Sequence, residues 1–269
     1  MNYIVLNHSI LVYEFYSIAH SLIINQIENE LIILNPDFIF PLISDACYTD
    51  ENIYTITGCE EYRKSRGFLQ NSPEEAGMNI SISYSMLVYQ RVCQFERLLR
   101  AVWRPSNYYC VHVDVDAPAS IQHNFREIIK CFDNVFLPAR LISVEWGKFS
   151  VVEADLICAR ELLPKPGWQY YVNVNACEFP LKTNLEILKI VKILNGGNSI
   201  EKKEPQIFRL RGLTPPIPVK FWKGEFHLFA CRGLMDYLIN NKSAQLFIEW
   251  ARKIDVPDET VYATLNHNP

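Results

Sequence analysis

Three short polar clusters in this chain have the residue types and spacing to do chemistry. Asp114-Val115-Asp116 closes an apolar run over residues 108–116. Two carboxylates so spaced at a strand end can hold a divalent ion that bridges a nucleotide diphosphate. Acidic pairs at strand ends are also ordinary turn residues. Asn173, Asn175 and Glu178 follow a second apolar run, residues 170–174. A polar turn at the carboxyl end of a strand is where α/β sheets place ligands, although Asn-rich turns are often no more than turns. Pro257-Asp258-Glu259 also has two readings. Proline and acids suit the first turn of a helix and its dipole. A carboxylate held beside an acceptor hydroxyl serves as a general base. His112 lies inside a strand pattern next to Cys110, where a buried, satisfied histidine is the usual outcome.

The elements that must position these clusters alternate. Residues 80–89 have strand composition. Residues 93–103 carry Phe95, Leu98, Leu99 and Val102 at helical spacing. A strand (108–116), a helix (120–131), a short strand (134–137) and a helix (150–163) follow. Then come the strand over 170–174 and a helix over 184–194. Such alternation implies a mostly parallel sheet in an α/β/α sandwich. Trp146-Gly147 reads as a packing corner. The last third is less regular, with a Pro-rich linker, a short strand (226–230) and helical patterns at 234–240 and 244–254.

At 269 residues and 49% hydrophobic, the chain can bury one large α/β domain. Its net charge of −4, with no Lys/Arg cluster, argues against a nucleic-acid partner. Eight scattered cysteines without a C-x-x-C pair favour disulfides in a secretory compartment. Sequons at Asn7, Asn79 and Asn241 suit that compartment. Three regions emerge: 1–25, a weak apolar segment that reads as a degraded signal anchor or a partly buried helix; 26–78, a loop-rich stem; and 79–269, the regular domain.

The segments YYCVHVD, KCFDNVF, WGKFSVVEADLICARELL, YYVNVNACEFPLKTNLEI and EWARKIDVPDETVYATL occur in this order. In that order and spacing the chain resembles the core-2/I-branching β-1,6-N-acetylglucosaminyltransferases, family 14 of the glycosyltransferases, which also holds peptide O-xylosyltransferases. The resemblance implies a glycosyltransferase-A fold in a type II Golgi membrane protein. It implies inverting transfer of GlcNAc from UDP-GlcNAc to the 6-hydroxyl of an O-glycan sugar on a glycoprotein. The family needs no metal or other cofactor, so Asp114-Val115-Asp116 would not be a manganese site. Asp114, after His112-Val113, matches the donor-pocket aspartate. Glu259 matches the general base, and Glu201 an acceptor-binding glutamate. The family pattern pairs Cys110 with Cys158, Cys59 with Cys131 is the second expected pair, and the partner of Cys47 is expected in the missing tail. The chain departs from the family at Ala176 and Glu178, where a Gly and an Asp are usual, and in a shorter stretch over 201–215. The family's phosphate-binding Arg and Lys lie downstream of Pro-Asp-Glu, so the chain reads as C-terminally truncated. The alternatives are a xylosyltransferase-like activity and an inactive sugar-binding fragment.

Overall fold

The computed structural model describes residues 54–68 and 70–268. The 1–25 segment, Asn7 and Cys47 lie outside them. Among the described residues, no helix is long and apolar enough to cross a membrane.

Two short helices, α1 (Cys59–Ser65) and α2 (Pro73–Gly77), occupy part of the region expected to be loops. The run Ser72-Pro73-Glu74-Glu75 makes a helix start: Ser72 and Glu75 bond each other's backbone amides in a capping box, with Pro73 at the head. Arg104 then takes the buried Glu75 carboxylate at 2.9 Å and fixes α2 to the domain.

The regular region runs β1 (Ile82–Val88), α3 (Val92–Val102), β2 (Tyr108–Val113), α4 (Ala119–Ile129), β3 (Val135–Phe136), α5 (Phe149–Leu162), β4 (Tyr170–Asn175) and α6 (Asn184–Leu194). Next are β5 (Ser199–Ile200), a 3-10 turn (Ile207–Leu210), β6 (Leu228–Cys231), α7 (Arg232–Asn240), α8 (Lys242–Trp250) and α9 (Asp258–Asn266). The sheet order is β3-β2-β1-β4-β6-β5, with β6 antiparallel to both neighbours. Strand β1 is buried along its whole length, as a central parallel strand covered on both faces must be. One core holds Phe95, Leu99, Phe125, Ile128 and Val191 against Met86 and Val111. The other holds Leu156, Leu238, Phe247 and Tyr262 against Tyr171 and Ala230. Helices therefore cover both faces, and the fold is the α/β/α type expected of a glycosyltransferase-A-like domain.

Strand β6 starts two residues later than the pattern suggests. The Asn173 side chain takes the backbone on either side of His227, donating to the Phe226 carbonyl (2.8 Å) and accepting from the Leu228 amide (2.9 Å). A side-chain amide thus stands in for ladder bonds. The disulfide implied by the resemblance and the second expected pair are both present. Cys110–Cys158 ties β2 to α5, and Cys59–Cys131 ties α1 to the end of α4.

Candidate functional site

The order of strands reverses at β1: the chain adds β2 and β3 on one side and then β4 on the other, with β2 and β4 both parallel to β1. Crevices at the carboxyl ends of such strands are ligand sites. The Asp114 amide bonds the Val88 carbonyl (2.9 Å) and the Ala176 amide bonds the Leu87 carbonyl (3.2 Å). Two of the three polar clusters therefore flank the end of β1.

On the β2 side, the side chains bind the protein's own loop. Buried Asp114 accepts the Asp116 amide (2.9 Å) with one oxygen and the Val144 amide (3.1 Å) with the other. Asp116 accepts the Ser143 hydroxyl at 2.5 Å. His112 accepts the Ile142 amide at Nε2 (3.1 Å). Burial pulls the His112 imidazole below its ordinary range, against the raising effect of Asp114, so this acceptor role suits a neutral ring. His112 and Asp114 together hold residues 142–144 as a wall of the crevice. Beyond that wall Trp146, expected in a packing corner, is 86% exposed. Gly147, at φ +72°, turns the chain and leaves the indole outside.

The same loop reaches the third cluster. The Val256 amide bonds the Gly147 carbonyl (3.1 Å). Val256 adopts φ +47°, a strained setting for a β-branched residue and more so before proline. It aims Pro257 into the start of α9, so the helix-terminus reading of Pro-Asp-Glu holds structurally. Glu259 in that first turn is gripped by two cations, Lys223 at 3.0 Å and Arg209 in direct contact. Burial raises the Glu259 carboxyl, but hydrogen bonds and charge from Lys223 and Arg209 outweigh it and hold the group below the usual carboxylate range. Its neighbour Asp258 goes the other way. Burial pushes that carboxyl up to about 6, and the Glu259 charge adds to the rise against Arg209 and His227.

Glu201 belongs to the same neighbourhood. Its carboxylate bonds Lys203 at 2.5 Å, and Lys203 pairs backbone to backbone with Lys223. Glu201 holds the Lys203 ammonium above its ordinary range, with Glu225 and Glu259 adding to it. Gly224 closes the group, its amide on the Glu259 carbonyl at 2.7 Å. A Cβ there would lie 2.7 Å from the Glu201 carbonyl and 2.8 Å from the Ala263 Cβ. The fold thus brings Glu201 and Glu259 to one side of the crevice and His112 and Asp114 to the other.

Arg209, Lys223, Asp155 and the partner of Glu178 escape a reading of the residues alone. Arg209 and Lys223 sit in irregular chain without periodicity. Glu178, a departure from the family pattern, is buried and pairs with His227 at 2.9 Å. Asp155 is buried at the meeting of α5, β4 and α9. At the other departure, Ala176 is not among the residues with positive φ, so the turn accepts a side chain there without strain. The sequons at Asn79 and Asn241 are exposed, and Asn241 also caps α8 through its side-chain oxygen.

A mostly parallel sheet covered by helices on both faces, with polar groups converging beyond its strand ends, places the fold in the glycosyltransferase-A-like class. The chain belongs to the core-2/I-branching enzyme family, whose pattern matches residues 82–269. It is 35% identical to the Rattus norvegicus protein named beta-1,3-galactosyl-O-glycosyl-glycoprotein beta-1,6-N-acetylglucosaminyltransferase 3, over 81% of this chain and 54% of that one. The protein of the same name from Homo sapiens is 33% identical over 81% and 55%. A Bovine herpesvirus 4 (strain LVR140) beta-1,3-galactosyl-O-glycosyl-glycoprotein beta-1,6-N-acetylglucosaminyltransferase is 34% identical over 82% and 55%. The chain spans about half the length of these curated relatives.

Proposed function

We propose that the chain carries the core of an inverting, metal-independent transferase that moves GlcNAc from UDP-GlcNAc to the 6-hydroxyl of an O-glycan acceptor sugar. The observation that carries this reading is Glu259. It is held ionised at the head of α9, on a loop bonded to the one that Asp114 and His112 fix. The names of the relatives supply the sugar and the linkage. In the proposed step Glu259 takes the acceptor proton as the oxygen attacks C1 of the donor sugar. The C1–O6 bond forms on the face opposite the nucleotide while the C1–O bond to UDP breaks. The diphosphate leaves with growing negative charge, which cationic side chains must meet. The resemblance gives that role to an Arg and a Lys downstream of Glu259. Glu201 would orient the acceptor. The Asp114 oxygens are engaged by backbone amides, which suits a loop-holding role in the donor pocket better than direct metal ligation.

The disulfides Cys59–Cys131 and Cys110–Cys158 suit an oxidising lumen, so we place the working domain in the Golgi lumen, acting on glycoproteins. One observation favours a second reading, binding without transfer: both cations occupy the carboxylate that should take the proton.

The test is transfer from UDP-GlcNAc to a core 1 disaccharide, with and without EDTA. UDP-xylose serves as the competing donor and Glu259→Gln as the control. GlcNAc transfer that survives EDTA and falls by about 10²–10⁴ in the variant supports the proposal. Preference for UDP-xylose points to the xylosyltransferase alternative. Glycan binding without turnover points to the non-catalytic one.

A further inference from the structure

We propose that the buried Glu178–His227 pair is a positioning device for Glu259, acting through residues 223–227. The proposal rests on the reading of Glu259 as the base. At one end of this strap, Lys223 reaches the Glu259 carboxylate (3.0 Å) and the Gly224 amide bonds the Glu259 carbonyl (2.7 Å). At the other end, His227 meets Glu178 at 2.9 Å, and both residues are buried. Glu178 is itself oriented by Asn175, through the backbone amide (3.1 Å) and the side-chain amide. Asn173 bonds the strap just before and just after His227. A continuous set of bonds therefore runs from the end of β4 to the head of α9.

The strap has little freedom between these ends. Gly224 leaves no room for a side chain, since a Cβ there would meet the Glu201 carbonyl and Ala263. Lys223 is also paired to Lys203 through the backbone, so the strap is bonded at both ends and passes a shift at His227 on to Lys223. A buried carboxylate–imidazole pair fixes direction and distance in a way an apolar contact does not, and removing one partner leaves the other buried and exposed to the full desolvation cost. The charged groups facing His227 are Glu178, from the turn after β4, and Asp258, from α9. Those facing Glu259 are Lys223, Arg209, Lys203 and Asp258.

The experiment follows the Glu259 carboxyl carbon by NMR in protein labelled with [13C]glutamate, together with kcat, KM and the pH profile, in wild type, Glu178→Gln, Glu178→Asp and His227→Gln. Deleting the negative charge of Glu178 would by itself lower the Glu259 midpoint. A loosened strap would raise it, because Lys223 withdraws. The proposal expects a rise in Glu178→Gln and His227→Gln. It expects kcat to fall about tenfold or more, with the donor KM within about twofold, and partial recovery in Glu178→Asp. A Glu259 midpoint that is unchanged or lowered in folded Glu178→Gln or His227→Gln protein overturns it. So does a loss of activity that only tracks the folded fraction. If wild-type protein transfers no sugar, the base reading fails, and the direction of the carboxyl shift still decides whether the strap positions Glu259.

Discussion

Tyr262 donates its hydroxyl to Asp155 across 2.6 Å, joining residues 107 positions apart. Tyr171 donates to the same carboxylate at 2.6 Å, and the Asn173 side-chain amide lies at 3.3 Å. Burial holds the Asp155 carboxyl above its usual range, and hydrogen bonds led by Tyr171 and Tyr262 offset only part of the rise. One buried acid thus links α5, β4 and α9 directly beneath the turn that carries Glu259. Replacing Tyr262 by Phe removes a donor and leaves the carboxylate short of a partner. The expected cost is about 1–3 kcal/mol, read as a lower midpoint in chemical denaturation. An unchanged midpoint would remove Asp155 from the list of groups that hold α9.

The cations on Glu259 set its titration. In the proposed role Glu259 works deprotonated, and it is held below the usual carboxylate range. Wild-type kcat/KM should therefore stay level from neutral pH downward and fall only below that range. Lys223→Met or Arg209→Met should move the acid limb up by about one unit. The sign for stability is fixed by the same shift. A depressed carboxyl contributes stability above its unfolded pKa and loses it as pH falls through the folded one, so either variant should be less sensitive to acid. Coincident pH profiles in wild type and variants would show that the contacts do not tune the base.

Asp258 carries the opposite shift, up to about 6 from 3.8. A raised carboxyl is a burden once pH exceeds its unfolded value, and the burden is complete above the folded one. Asp258→Asn should therefore stabilise the protein at pH 7 by up to about 3 kcal/mol, with the gain vanishing below about pH 4. Parallel melting curves of the two proteins at both pH values are the check. A gain that persists in acid would mean that the group is not strained by ionisation.

Cys110 and Cys158 are both fully buried and join the central sheet to α5. Replacing both by Ser should cost about 2–5 kcal/mol. Peptide mapping without reduction should recover them as one cross-linked pair. Free thiols at both positions would contradict folding in an oxidising compartment.

The order of strands and helices from β1 to α6 can be read from the sequence because long amphipathic periods and apolar runs dominate there. Leu98, Leu99 and Val102 needed no context to mark α3. The last third hides its structure for a physical reason. β5 is two residues long, and β6 is shortened because Asn173 takes the backbone bonds that a neighbouring strand would take. Side-chain substitution of that kind leaves no periodic trace. The site divides in the same way. Glu259 and Asp114 stand in recognisable motifs, but Lys223 and Arg209 reach Glu259 only through tertiary approach. Glu178 is visible as an oddity, and its meaning depends on His227, which lies 49 positions later and becomes its neighbour only when β6 pairs with β4.

If the proposed activity holds, the crowding around Gly224 limits any attempt to redirect it toward new sugars. Under the proposed function the residue lies beside Glu201 and Glu259, where a saturation library would naturally be aimed. Even a methyl group there would strike fixed main chain on one flank and a buried helix on the other. Useful diversity must come instead from the outer rim, where Trp146 and Phe208 already stand in solvent and can be exchanged without disturbing the walls behind them.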